Sequence, residues 1–262
     1  ALADAPGDVD LLRRRAALWL DRGDLRSATA DLREAMRKAG KNAGAALLSV
    51  AARASLLGGH LKEAEQLCMR GLSLAPGSDE LYALLGGTMQ RQKRLDRALV
   101  AYEAAVNLNP FRQPYRIALA QAFEATGDSE RAERIYRQAL LTDGKWGDVA
   151  LNLANLLQST GRYAEAEQLY RRSLQILGVK GHLLSNLGAL LRKMGRYRES
   201  ADVYRKGICL APGDGGIYYN FGNLQRAEER LDEAVETYRR SIACRPDNAE
   251  IHWNLSLALL SA

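Results

Sequence analysis

Four asparagines recur at a constant spacing of 34 residues: Asn152, Asn186, Asn220 and Asn254. An asparagine amide carries a donor and an acceptor side by side, and one residue of an extended peptide offers the complementary N–H and C=O. A ladder of such amides can therefore hold a polypeptide backbone without reading its side chains. Each bond contributes only about 0.5–1.5 kcal/mol net, so useful affinity requires several rungs together.

The elements that carry these asparagines are predicted to be helical hairpins. Residues 147–160 have apolar side chains at helical spacing, and Gly161 follows them as a helix-ending glycine would. A second amphipathic stretch comes next, with Ala166 and Tyr170 on one face. Residues 181–214 repeat the same landmarks. A fixed period of this kind is typical of a solenoid, in which each repeat packs only on its neighbours.

These landmarks resemble those of the tetratricopeptide repeat, a helix–turn–helix unit of 34 residues. The family has alanine at position 20 and an aromatic residue at position 24. Position 20 holds Ala28, Ala64, Ala98, Ala132, Ala166 and Ala234, with Ser200 as the one departure. Position 24 holds Tyr102, Tyr136, Tyr170, Tyr204 and Tyr238, with Leu32 and Cys68 in the first two repeats.

The resemblance implies an all-α fold, a right-handed α-solenoid with seven full repeats and a final single helix. We expect a flexible lead-in over residues 1–8 and one superhelical domain over 9–262. Two extra residues around Gly40–Asn42 predict a longer loop between the first two repeats. The repeats are predicted to start at Val9, Ala45, Asp79, Gln113, Gly147, Gly181 and Gly215, with a half-repeat from Ala249.

In this family the first helices of successive repeats line a concave groove, and the resemblance places the asparagine ladder there. Asn155 and Asn223 follow two of its members by three residues. Side chains between the rungs are expected to set selectivity for the bound segment. These are Tyr219, Trp253, Arg192 and Arg226. The alternative is that the asparagines only brace neighbouring helices.

One sub-type of the family, which clamps a terminal carboxylate with Lys, Arg and Asn, is disfavoured. Asn155 and Asn186 match two of its places. Leu151 and Asn220 stand where Lys and Arg would be needed, and Gly216 where a second Lys would.

The segments NLAN (152–155), NLGA (186–189) and NFGN (220–223) give a closer resemblance, to the repeats of O-linked N-acetylglucosamine transferase and bacterial glycosyltransferases of this architecture. In those proteins the asparagines grip acceptor polypeptides. The resemblance implies a bacterial protein in which a catalytic domain follows Ala262.

Composition favours a binding module over an enzyme. The net charge of +6 is a mild excess, and no basic run is interleaved with aromatic residues to stack bases, so we expect no nucleic-acid partner. His60, His182 and His252 are isolated, so no catalytic residue, metal site or cofactor is predicted. Three unclustered cysteines favour a reducing compartment, the cytoplasm, and no apolar run is long enough to predict a membrane partner.

The leading hypothesis is a non-catalytic scaffold that binds an extended segment of a partner protein in the groove. In it the chain recruits substrates for a larger protein such as a glycosyltransferase. The rival hypothesis is a structural module that self-associates through the apolar last helix, residues 249–262.

Overall fold

The computed structural model of the chain describes residues 8–142, 146–178 and 180–261. Fifteen α-helices and one short 3₁₀ helix account for most of these residues, and no strand occurs among them. The prediction of an all-α helical solenoid is confirmed. The chain divides into two compact units, residues 1–142 and 143–262, which we call unit 1 and unit 2.

Unit 1 contains four helical hairpins. Its helices are α1 (Val9–Asp21), α2 (Leu25–Ala39), α3 (Ala45–Leu57), α4 (Leu61–Leu74), α5 (Asp79–Arg91), α6 (Leu95–Leu108), α7 (Gln113–Ala125) and α8 (Ser129–Thr142). The 3₁₀ helix Gly40–Asn42 lies at the junction where the two extra residues predict a longer loop. Cys68, in the aromatic position of its repeat, is fully buried, and burial raises the pKa of its thiol to about 12.

Unit 2 contains three hairpins and a final helix. Its helices are α9 (Trp146–Ser159), α10 (Tyr163–Leu177), α11 (Gly181–Lys193), α12 (Tyr197–Leu210), α13 (Gly215–Ala227), α14 (Leu231–Cys244) and α15 (Ala249–Ser261). Helix α9 begins one residue before the predicted repeat start, Gly147. In each of the other repeats of both units, the first helix begins at the residue where the sequence places the repeat.

Each hairpin turns at position 15 of its repeat, where the backbone has a positive φ. Gly161 and Gly195 adopt φ values of 81° and 74°, the left-handed conformation that glycine tolerates without cost. Lys93 and Glu229 adopt 60° and 61° at the same position of their repeats. The turn is therefore imposed by packing of the hairpin even where glycine is missing.

The core of unit 2 is organised around the position-24 tyrosines. Tyr170, Tyr204 and Tyr238 are completely buried. An added Cβ on Gly188 would lie 2.6 Å from the ring of Tyr204, and one on Gly222 would lie 2.7 Å from the ring of Tyr238. The glycine at position 8 thus allows the rings of Tyr204 and Tyr238 to approach the first helix of their own hairpin closely.

Candidate functional site

The predicted binding residues lie on the first helices of unit 2, α9, α11, α13 and α15. We call the side of these helices that carries the asparagines the ladder face. Asn155 is exposed, and Asn254 has only 9% of its surface accessible. The remaining asparagines, Asn152, Asn186, Asn220 and Asn223, are half-buried.

Asn155 joins two repeats through its amide oxygen. The buried hydroxyl of Tyr170 donates to Oδ1 of Asn155, and Nδ2 of Asn186 donates to the same oxygen over 3.4 Å. Tyr170 also donates to Oε1 of Gln158 at 3.2 Å. The contact between Asn155 and Asn186 shows that rungs of successive repeats lie side by side.

The same arrangement recurs two repeats later. The Tyr238 hydroxyl donates to Oδ1 of Asn223 at 2.7 Å, and Nδ2 of Asn254 approaches that oxygen at 3.5 Å. Asn254 also donates to the hydroxyl of Tyr219 at 2.8 Å, and Tyr219 in turn donates to Glu250 at 2.7 Å. This end of the ladder face is therefore a connected hydrogen-bond network between α13, α14 and α15.

The repeat between these two lacks the equivalent asparagine. Its position 9 is Ala189, so Nδ2 of Asn220 donates to Oγ of Ser185 at 3.0 Å instead. The Tyr204 hydroxyl is buried and has no hydrogen-bond partner within the described part of the chain. The nearby Ser200 hydroxyl donates to the Gly188 carbonyl oxygen at 2.8 Å and makes no bond of normal geometry with Tyr204.

Two arginines lie beside these tyrosines. Arg192 is half-buried and Arg226 is exposed, and neither forms an ion pair with a carboxylate of the described residues. Burial raises the pKa of Tyr204, and the positive charge of Arg192 opposes part of that rise. Burial likewise raises the pKa of Tyr238, and Arg226 and Arg192 both oppose it. The positive charges of Arg192 and Arg226 therefore act on the hydroxyls of Tyr204 and Tyr238.

The two predicted aromatic residues differ in their surroundings. Tyr219 is half-buried, stacks at a tilt against Tyr238 with ring centroids 6.2 Å apart, and has its hydroxyl bonded. Trp253 is 66% exposed, and Leu259 and Leu260 of the same helix are 51% and 86% exposed. Helix α15 thus presents a large apolar surface beside its asparagine.

Sequence reasoning missed three residues of this site: Ser185, Ala189 and Glu250. The role of Ala189 could have been predicted, because NLGA ends in alanine where NLAN and NFGN end in asparagine. Ser185 and Glu250 could not, because their roles depend on side-chain positions across two repeats.

The described residues contain no group of three or more His, Cys, Asp or Glu side chains placed to hold a metal ion. None of the helices in those ranges combines the length and apolar character needed to cross a bilayer.

The sequence matches three profiles of the tetratricopeptide repeat, at residues 117–178, 148–211 and 222–261. Together these matches cover more than half of the chain. The chain belongs to the tetratricopeptide repeat family. Members of this family are in general non-catalytic scaffolds that bind protein or peptide partners. No curated protein sequence matches the chain.

Solved structures share the fold. A tetratricopeptide repeat protein from Parabacteroides merdae is 20% identical, with 96% of this chain and 98% of that one covered and a TM-score of 0.76. PilF of Pseudomonas aeruginosa is 21% identical, with 84% and 97% covered and a TM-score of 0.67. YrrB, a tetratricopeptide repeat protein with an unusual peptide-binding site, is 18% identical, with 74% and 96% covered and a TM-score of 0.52.

Proposed function

We propose that unit 2 binds an extended segment of a partner polypeptide along the ladder face. The observation that carries this proposal is that, in most of these asparagines, hydrogen bonds within the protein use only one of the two amide groups, Nδ2 or Oδ1. At position 6 the Nδ2 groups of Asn186, Asn220 and Asn254 are used internally. This leaves the oxygens of the half-buried Asn186 and Asn220 to accept from backbone N–H groups. At position 9 the oxygens of Asn155 and Asn223 are used, which leaves the Nδ2 groups to donate.

The bracing interpretation and the binding interpretation therefore support one another. An internal bond fixes the orientation of each amide before a partner arrives, so less side-chain entropy is lost on binding. Asn152 makes no side-chain hydrogen bond with any described residue, so both of its amide groups are available to a ligand. The solved structure of YrrB, with its peptide-binding site, supports the same class of function.

A more specific proposal concerns a larger protein of which this chain would be the substrate-recruiting part. The resemblance of NLAN, NLGA and NFGN to the repeats of glycosyltransferases supports a role in recruiting polypeptide substrates to a larger, bacterial and cytoplasmic enzyme. Recruitment needs only moderate affinity, which a few backbone hydrogen bonds of about 0.5–1.5 kcal/mol each supply.

The test uses fluorescein-labelled, C-terminally amidated nonapeptide libraries and fluorescence polarisation. The variant Asn152→Ala/Asn186→Ala/Asn220→Ala removes three rungs and spares the buried Asn254. We expect wild type to bind and the variant to bind at least tenfold more weakly, a loss of about 1.4 kcal/mol.

The matched control is Gln168→Ala/Gln175→Ala, which removes two exposed amides from the second helix α10. It should bind as wild type does. Circular dichroism checks that all three proteins remain helical. Equal binding by the triple variant, or no binding of any library by wild type, would overturn the proposal.

Self-association through α15 is the second candidate function, and the exposure of Trp253 and Leu260 favours it. Light scattering over a range of concentrations tests it. A mass that rises with concentration in wild type, and stays at that of one chain in Trp253→Ser/Leu260→Ser, supports this function. A constant mass in wild type eliminates it.

A further inference from the structure

Four of the five tyrosines at position 24 share one hydrogen-bond pattern. In these four, the hydroxyl donates to an acceptor side chain at position 9 or position 12 of its own repeat. The bonds are Tyr102 to Gln90 at 3.0 Å, Tyr136 to Glu124 at 2.5 Å, Tyr170 to Asn155 and to Gln158, and Tyr238 to Asn223. Tyr204 alone has neither, because its position 9 is Ala189 and its position 12 is Arg192.

Because Tyr204 has no acceptor side chain, several hydrogen-bond donors around it are left without an acceptor. Arg192 has only N–H donors, and the Tyr204 hydroxyl has a proton with no protein acceptor. Arg226, at position 12 of the next repeat, adds a second guanidinium without a carboxylate partner among the described residues. Ala189 is half-buried and lacks the amide that asparagine supplies in the flanking repeats, and we call the place of this missing amide the gap. A buried, unpaired donor is costly, and an oxyanion would satisfy it.

We propose that the gap over Ala189 binds the carboxylate of an aspartate or glutamate side chain within the bound segment, an inference that rests on the proposed function. The planar fork of Arg192 matches the two oxygens of a carboxylate. Arg226 contributes the second positive charge. The buried hydroxyl of Tyr204, which has no acceptor among the described residues, is the third donor of the site.

An internal side chain fits better than a chain terminus. Asn155 and Asn186 lie on one side of the gap, and Asn223 and Asn254 lie on the other. Backbone-binding amides on both sides let the segment run through the site. The arrangement also differs from the family's carboxylate clamp, whose basic places are occupied here by Leu151, Asn220 and Gly216.

The experiment measures selectivity, separately from affinity. Amidated nonapeptide libraries carry Glu or Gln at the central position, with the other positions randomised from uncharged residues. We expect wild type to bind the Glu library at least tenfold more tightly than the Gln library. A third library, with central Gln and a free C-terminal carboxylate, distinguishes a terminal carboxylate from an internal one and should bind like the amidated Gln library.

Two variants test the site. Arg192→Gln removes the guanidinium, and Ala189→Asn fills the gap with an internal acceptor while leaving every charge in place. Both should reduce the Glu-to-Gln preference clearly below that of wild type. The control Arg198→Gln makes the same charge change on the exposed side of α12 and should keep the full preference.

The outcomes separate the two proposals. If no library binds wild type, the proposed function fails. If both amidated libraries bind wild type equally, or if Ala189→Asn keeps the full preference, the carboxylate site fails while peptide binding stands. Stronger binding of the free-terminus library than of the amidated Glu library overturns the assignment to an internal side chain.

Discussion

The Tyr238 hydroxyl donates a 2.7 Å hydrogen bond to Oδ1 of Asn223, and this bond links the two helices of one hairpin. The same oxygen also faces Nδ2 of Asn254 in the following repeat. One asparagine thus satisfies a buried hydroxyl and orients a rung of the ladder. Tyr204, one repeat earlier, occupies the equivalent position without such a partner. The pair forms an internal comparison of the same side chain with and without its acceptor.

Removing the two hydroxyls should therefore have different effects. Tyr238→Phe loses a formed hydrogen bond and should lower the free energy of unfolding by about 1 kcal/mol. Tyr204→Phe removes a buried hydroxyl that has no partner, so it should leave stability unchanged or raise it. Urea titrations followed by circular dichroism measure both variants. Equal losses in the two variants would show that Tyr204 has an acceptor after all.

Ala189→Asn should stabilise the protein by about 1 kcal/mol, because it supplies the acceptor that Asn223 provides to Tyr238. The gain should disappear in a Tyr204→Phe background. A double-mutant cycle by urea titration isolates this coupling. A gain that survives in the Phe background would instead reflect a bond to another group, such as the side chain of Asn220.

Glu124→Gln should stabilise unit 1 at neutral pH. Burial raises the pKa of Glu124, and the hydrogen bond from Tyr136 offsets only part of that rise. A carboxyl group with a raised pKa takes up a proton on folding, so stability falls as the pH rises from its ordinary value of 4.5 through the raised value. Glutamine keeps the acceptor, as Gln90 does for Tyr102. The urea midpoint of the variant should exceed that of wild type at pH 7 and equal it at about pH 4.

Glu167→Gln should have the opposite effect. Arg196 and Arg171 contact Glu167 at 2.6 and 2.7 Å. Burial alone would raise the pKa of this carboxyl group, but the two arginines lower it below its ordinary value. The stabilisation is therefore present above pH 4.5 and is lost as the pH falls through the lowered pKa.

At pH 7 Glu167→Gln should lower the free energy of unfolding by about 1 kcal/mol. The difference from wild type should shrink in urea titrations at successively lower pH. Asp202→Asn is the matched control, because Asp202 pairs with Arg205 on an exposed surface, and it should change stability very little. A pH-independent loss in Glu167→Gln would show that shape, not charge, makes the contribution.

Most of the fold could be predicted from the sequence because local signals agree with the repeat. Alanine at position 20 and tyrosine at position 24 fix the phase of the second helix, and Gly161 marks a turn. The positive φ values of Lys93 and Glu229 could not be predicted, since neither residue favours that conformation. There the packing of two helices overrides local preference.

The site could be predicted only in part. The spacing of Asn152, Asn186, Asn220 and Asn254 identifies the face they share, but the sequence does not say which amide group points inward. That depends on whether an acceptor for tyrosine exists at position 9 or 12. Once the structure has shown that position 9 or 12 supplies this acceptor, the sequence alone identifies the repeats that have one. Tyr204 belongs to the repeat that has none.

Ala189 has a consequence for the register of the polypeptide segment that we propose to be bound. Identical rungs every 34 residues would hold an extended segment equally well after it slipped along by one repeat, so a uniform ladder offers many equivalent registers. A single alanine among the asparagines removes that translational degeneracy. If unit 2 binds a segment as we propose, that segment has one register along the ladder face, set by a missing side chain.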